Sequence, residues 1–244
     1  MLECYRISDQ KLVDVNFRSI RVINTINSHS YCIAKNDPEF RNALLDSDML
    51  LPDGIGVVIA EWFLYGKRNK KISGYDLFLF LMNKLNQEEG AVFFLGSSEE
   101  NLERIKNRCS LDYPKIRFGS YSPPFTNSFS DEESEDMIDA VNNHKTDVLF
   151  LGMTAPKQEK WVNNFKRRLD AKIICSIGAV FDFYADPRKR APRLLIKLGL
   201  EWLHRSVKDF KLMKRNLCSN PVFLWDTLKS KISNNNEDSY HNPR

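Results

Sequence analysis

Asp53 stands in the run Leu51-Pro-Asp-Gly-Ile-Gly56, between a short apolar segment and the helix-forming Ile55-Gly-Val-Val58. A carboxylate at such a strand end, with apolar neighbours, is partly desolvated, and desolvation raises its proton affinity toward that of a general base. The same position suits a helix N-cap, a role Asp favours, and the local sequence leaves both open. A second run, Gly152-Met-Thr-Ala-Pro-Lys-Gln-Glu-Lys-Trp161, directly follows the apolar Val148-Leu-Phe-Leu151 and reads as a strand turning through a tight loop into a helix. Pro156 suits the first helical position. Lys157 and Gln158 then fall in the first turn, beside unpaired N–H groups and the positive end of the helix dipole, where an anion binds. A solvated basic helix face has the same composition.

Three further joints carry ligand-competent groups. Gly96-Ser-Ser98 offers small residues and free amides to a phosphate or ribose. Gly178, opening Gly178-Ala-Val-Phe-Asp-Phe183, lets backbone approach a ligand or simply makes a turn. Thr25 and Asn27 end the first core strand with a hydroxyl and an amide, which serve either a ligand or a turn and cap. The Gly96 joint is not GxGxxG, which disfavours a nicotinamide dinucleotide. His29, His144, His204 and His241 have no Cys or acidic partners at ligand spacing, so neither a metal nor another cofactor is expected.

These residues need a scaffold that gathers strand ends. Apolar runs near Ile20–Thr25, Met49–Leu51, Ala91–Leu95, Ile116–Ser120, Val148–Leu151 and Ile173–Ile177 alternate with helical patterns. That alternation predicts an α/β, Rossmann-like, mostly parallel sheet with helices on both faces. Helices are expected at 28–35, 38–47, 56–64, 75–86, 99–109, 131–143 and 156–168. The five cysteines are scattered, with no C-x-x-C pair, and read as reduced thiols of a cytosolic protein. The first residues lack a signal-peptide pattern, and no window approaches the ~20 apolar residues of a membrane span.

The formal net charge of +4 conceals an uneven distribution. Between Pro187 and Leu217, ten Lys/Arg face two acids, a local +8, which points to a nucleic acid, a membrane surface or a phosphorylated substrate. Ile196, Leu200, Leu203, Val207, Phe210 and Met213 recur at spacings of three and four and predict one amphipathic helix flanked by basic residues. Such a helix lies on anionic lipid or packs on its own domain. The organisation expected is a catalytic core at 1–186, a basic helical appendage at 187–233 and a disordered polar tail at 234–244.

Six ordered motifs carry a family resemblance: Pro52-Asp-Gly-Ile-Gly-Val-Val58, Ser73-Gly-Tyr-Asp-Leu77, Phe94-Leu-Gly96, Gly152-x-x-Ala-Pro-Lys-Gln-Glu-Lys-Trp161, Gly178-Ala-Val-Phe-Asp-Phe183 and Arg190-Ala-Pro-Arg193 with Gly199-Leu-Glu-Trp202. Together they resemble the WecG/TagA/CpsF glycosyltransferases, glycosyltransferase family 26. The resemblance implies a metal-independent, inverting transferase. Such an enzyme moves a sugar (N-acetylmannosamine, its uronic acid or a related hexose) from a UDP-sugar to a polyprenyl-diphosphate-linked saccharide in cell-surface polysaccharide biosynthesis. The place implied is the inner face of the bacterial cell membrane, held peripherally at an anionic surface. It makes Asp53 the base, Thr25 and Asn27 placers of sugar or acceptor, and Gln158 a donor contact. Lys71 stands where the family has Arg, so a point ammonium replaces a bidentate fork at a diphosphate. Arg205, with His204 in place of the usual Tyr, joins Lys211 and Arg215 as diphosphate contacts from the arm. Gly178-Ala-Val replaces Gly-Gly-Ala and Gly152-Met-Thr replaces Gly-Leu-Gly. A homo-oligomer is compatible with an apolar arm. The rival reading is a nucleic-acid-binding α/β protein using the +8 segment, although that segment lacks an aromatic stacking pattern.

Overall fold

The computed structural model describes residues 4–8, 12, 15, 17, 20–186, 191–197 and 199–241, with backbone only at Arg193, Lys197, Arg205, Lys208 and 234–241. Six strands form one parallel sheet: β1 (Arg21–Ile26), β2 (Met49–Pro52), β3 (Ala91–Gly96), β4 (Arg117–Tyr121), β5 (Thr146–Gly152) and β6 (Ala171–Ser176). Their order is β2-β1-β6-β5-β3-β4. All six residues of β3 are buried, as expected of a parallel strand covered on both faces, where an unbroken apolar run replaces alternation. Helices α1 (Ser28–Asn36), α2 (Pro38–Leu45), α3 (Ile55–Tyr65), α4 (Gly74–Glu88), α5 (Glu99–Asp112), α6 (Asp131–Asn143), α7 (Lys157–Phe165) and α8 (Val180–Ala185) connect or follow the strands. The predicted α/β architecture is therefore present.

β3 leads through α5 to β4 on one side, whereas β5 leads through α7 to β6 on the other. Right-handed crossovers running in opposite directions must place their helices on opposite faces. One core accordingly packs α4, α5 and α8 (Phe78, Leu81, Ile105, Phe181) against Phe94 and Phe150. The other packs α6 and α7 (Met137, Val141, Trp161, Val162) against Phe93, Leu95 and Leu149. The boundary between β3 and β5 is the topological switch point, outside whose carboxyl ends α/β proteins hold ligands.

The basic C-terminal segment departs from the single helix predicted by the 196–213 stripe. It forms α9 (Arg193–Lys197), α10 (Glu201–Lys208) and α11 (Phe210–His241). Gly199, at φ 73°, breaks the first joint. At the second, Asp209 turns its carboxylate onto the N–H groups of Lys211 and Leu212 at 2.8 and 3.3 Å and starts a new helix. The backbone of α11 stays helical through His241, where a disordered tail was expected from 234. Extending an existing helix needs no new nucleus. Residues 242–244 of that tail and 187–190 of the appendage lie outside the described residues. α11 is fastened to the sheet domain: Phe223 is fully buried against Tyr31, and Asp226 accepts from Tyr31 Oη at 3.1 Å and Lys35 Nζ at 2.6 Å.

Candidate active site

The β1/β2 end of the sheet gathers three predicted residues and the loop that carries a fourth. Ile26 is in register with Pro52, so Thr25 and Asn27 emerge beside Asp53. The Asp53 N–H donates to Ile26 O at 2.9 Å, and the Ile72 N–H donates to Pro52 O at 3.0 Å, bringing Lys71 back to the same edge. Gly54, at φ 124°, takes the N-cap position of α3, which has no side-chain cap. The half-buried Asp53 is therefore not the helix cap. Asn27 does cap: its Oδ1 accepts from the N–H groups of His29 and Ser30 at 3.0 Å, and Ser30 Oγ accepts from the Asn27 N–H at 2.8 Å. Its Cβ lies 3.8 Å from where a side chain on Gly54 would start.

The arm reaches this end. His29 Nδ1 lies 3.1 Å from Ser219 Oγ of α11. Burial first, and then the positive charge of Arg215, hold the His29 imidazole down at about 4, so Arg215 stands close to the β1–α1 joint. Lys211 is exposed in the first turn of α11. Arg205 lies on α10, with its side chain outside the described residues.

The β3/β5/β6 end is built differently. Gly96 and Gly152 face each other across the switch point at the carboxyl ends of β3 and β5. A Cβ on Gly152 would sit 2.1 Å from the Phe181 ring, so α8 packs directly on bare backbone. Gly178, at φ 55°, lies where a Cβ would be 3.5 Å from Met153 O and 3.8 Å from Gln158 Nε2. Gln158 is buried and turned inward: its Oε1 accepts from the Met153 N–H at 3.2 Å, and its Nε2 donates to Glu159 Oε1 at 2.8 Å. It thus ties the β5–α7 loop to the first turn of α7, while the Gly178 N–H donates to Leu151 O at 3.2 Å. Pro156 precedes α7 rather than opening it, and no side chain caps that helix. Lys157 Nζ donates to Thr126 O at 2.7 Å and stands 4.4 Å over the Phe129 ring, so it braces the neighbouring loop. α1, α2, α4, α5 and α6 are capped by side chains. α3 and α7, the helices after Asp53 and Gly152, have no side-chain cap, and in α7 the Lys157 N–H donates to Thr154 O at 3.0 Å.

Three strand spacings separate the β2 and β5 ends, roughly 14 Å at the usual 4.8 Å each. The sequence profile of the Glycosyl transferase WecG/TagA/CpsF family matches residues 9–237. The chain belongs to this family. It is a glycosyltransferase, which selects the transferase reading over the nucleic-acid one. Its relatives include a protein of Bacillus subtilis (strain 168), 28% identical over 210 residues, covering 86% of this chain and 80% of its own. That relative is named N-acetylglucosaminyldiphosphoundecaprenol N-acetyl-beta-D-mannosaminyltransferase. Relatives in Bacillus spizizenii (strain ATCC 23059 / NRRL B-14472 / W23), at 28% over 196 residues (80% and 74% covered), and Staphylococcus aureus (strain MW2), at 27% over 209 (86% and 80%), carry the same name.

The transferase also holds a residue that sequence reasoning passed over. Glu159 is buried beside Gln158, and desolvation lifts its carboxyl to about 7, against the lowering pull of the Gln158 amide. Its Oε2, Asn24 Oδ1 and Ser176 Oγ are buried without a hydrogen-bond partner. Val22 and Ile174 pack against α7, so Asn24 and Ser176, two residues further along β1 and β6, face the same side. A polar seam therefore runs on the α7 side of β1 and β6. The spacing of Gln158 with Trp161, Val162 and Phe165 marks Gln158 as inward-facing. Nothing in the spacing marks Glu159. Among the described residues no helix is long and apolar enough to cross a membrane, and no group of three or more His, Cys, Asp or Glu is placed to hold a metal ion.

Proposed function

We propose that this glycosyltransferase moves N-acetylmannosamine, or a closely related hexose, from a UDP-sugar to a polyprenyl-diphosphate-linked saccharide, with inversion, at the inner face of the cell membrane. The observation that carries this is the placement of Asp53: half-buried, outside the cap of α3, and flanked by the Thr25–Asn27 and Lys71 segments at the sheet's carboxyl edge. The names of the relatives supply the acceptor and sugar classes. Asp53 takes the proton of the acceptor hydroxyl as its oxygen attacks the anomeric carbon. The bond to UDP breaks on the opposite face, and its electron pair leaves with the diphosphate. The start of α7 and the Gly96–Gly152–Gly178 backbone cradle that diphosphate, while Arg215, Lys211 and Arg205 bring positive charge from the arm to the β1/β2 end, where the acceptor's diphosphate lies. Gln158 acts from behind, holding the β5–α7 loop of the cradle against the start of α7. No metal is required in this scheme, so chelation leaves the rate unchanged.

The test is incubation of the purified protein with a panel of UDP-sugars and a lipid-linked N-acetylglucosamine diphosphate. Product mass and the anomeric coupling of the new linkage are read. One UDP-sugar should give a single product of inverted configuration. Absence of transfer from every UDP-sugar, or retention of configuration, rejects the reading.

A further inference from the structure

Large apolar side chains exposed to solvent concentrate on α3 and the C-terminal helices; on α3, Ile59 is 51% and Trp62 54% exposed. A shallow groove of about 390 Å³ runs there, lined by Val58, Ile59 and Trp62 on the helix and by Arg68 and Asn69 on the following loop. The loop is fastened at three points. Gly66, in the left-handed region at φ 68°, closes α3 by donating its N–H to Trp62 O. Asn69 Nδ2 donates to the carboxylate of buried Glu61. The Ile72 N–H returns the chain to Pro52 O, next to Asp53. Lys67, Arg68, Lys70 and Lys71 are thereby strung between the apolar groove and the Asp53 edge.

We propose that this groove holds the first isoprene units of the acceptor's polyprenyl chain. The inference rests on the lipid-linked acceptor proposed above and adds the site for its lipid. An acceptor of that kind has three chemically distinct parts in fixed order: a sugar hydroxyl, a diphosphate and an apolar chain. The protein surface presents the matching order along one loop. Asp53 takes the hydroxyl, the 67–71 cations meet the diphosphate, and Val58, Ile59 and Trp62 cover the chain. A sugar-only acceptor would leave both the cation run and the exposed α3 face without a partner.

The experiment uses the full chain and farnesyl diphosphate below its micelle concentration, compared with isopentenyl diphosphate. Wild-type protein should bind the longer chain at least about tenfold more tightly, since several buried apolar carbons separate the two ligands. A benzophenone-terminated farnesyl diphosphate should label peptides within 58–69. Ile59→Ser and Trp62→Ala, both at exposed positions and checked for unchanged thermal melting, should abolish the chain-length preference while keeping transfer to a short-chain acceptor. Equal affinity for both diphosphates, labelling confined to the C-terminal helices, or unchanged preference in both variants overturns the groove. Transfer that persists despite such a result leaves the transferase reading intact. Chain binding without any sugar transfer would instead keep the groove and remove the acceptor reading.

Discussion

The two ends of the sheet's carboxyl edge are made of opposite materials. At the β1/β2 end the chemistry stands on ionisable side chains: Asp53 half-buried, Lys71 returned by its loop, and His29 with Arg215 held against it. At the β3/β5/β6 end it stands on bare backbone: Gly96 opposite Gly152, Gly178 in a left-handed turn, and Gln158 locked inside. A group that must accept a proton needs solvent or substrate contact and a tunable charge. A cradle for a charge that is already present needs close approach and fixed dipoles. In the function proposed above the charged end meets the acceptor and the backbone end the donor, and each substitution below tests one end against the other.

The largest effect is expected at the charged end. Asp53→Asn keeps shape and hydrogen-bonding reach but removes the base. Turnover should fall by about 10²–10⁴-fold with thermal melting and UDP-sugar binding close to wild type. A folded Asp53→Asn protein with near-normal turnover would place the base elsewhere and erase the contrast between the ends.

The donor end should reveal itself through pH. Glu159 titrates as an ordinary carboxyl in the unfolded chain, whereas burial lifts it to about 7 in the fold. The folded state therefore holds this proton more tightly. Its contribution is complete below the unfolded value and is lost as pH rises through about 7. Desolvation of this size corresponds to roughly 3–4 kcal/mol. Glu159→Gln removes this titration, so in denaturant melts wild-type stability should fall relative to that of the variant as pH rises from the ordinary carboxyl value to about 7. Parallel curves would mean that the carboxylate is paired in solution and that the seam on the α7 side of the sheet is not dry.

Backbone closeness at the same end has its own signature. Gly152→Ala drives a Cβ to 2.1 Å from the Phe181 ring, which must move with α8. Overpacking of this kind destabilises by about 1–3 kcal/mol. Gly178→Ala meets nothing nearer than 3.5 Å, so only the left-handed φ of 55° opposes it, at about 1–2 kcal/mol. Calorimetric melts that rank Gly178→Ala as the more damaging would show that space is not what selects glycine at position 152.

Much of this was legible in sequence, for physical reasons that also mark where it stops. Parallel strands buried on both faces leave continuous apolar runs, so all six strands were found, with ends displaced by only a few residues. α6 matched its expected 131–143 span because Ser130 and Glu133 form a capping box that announces the start. Asp53 and the strand-end glycines were readable because strand-to-helix joints have local signatures. The C-terminal stripe misled because apolar spacing survives a break: Ile196, Leu203 and Phe210 keep their phase across Gly199 and Asp209. Contacts made at long range left no local trace. The charge of Arg215 acts on His29 only because α11 packs on α1 through Phe223 and Asp226, and the raised Glu159 depends on burial that no spacing encodes.

The arm's anchorage gives the last and smallest test. The His29 ring lies 3.1 Å from Ser219 Oγ of α11 and feels the charge of Arg215, while the His29 backbone N–H donates to Asn27 Oδ1. Its folded value near 4 lies below the ordinary 6.5, so the fold prefers the neutral ring, and stability falls as pH drops from 6.5 toward 4. This slope is opposite in sign to that of Glu159 and overlaps most of its window, so each is read as the difference between wild type and its own variant. The imidazole is only partly shielded, so solvent screening keeps the effect below that of the fully buried acid. His29→Gln retains a hydrogen-bonding group for Ser219 while removing the charge change, and should flatten the acid side of the stability profile without altering the neutral side. Protection of α11 amides from hydrogen exchange should follow the same rule, because a charged His29 repels Arg215 and loosens the arm at its contact with the β1–α1 joint. An acid slope unchanged in the variant would mean that the arm is held through Asp226 and Phe223 alone, without a contribution from His29.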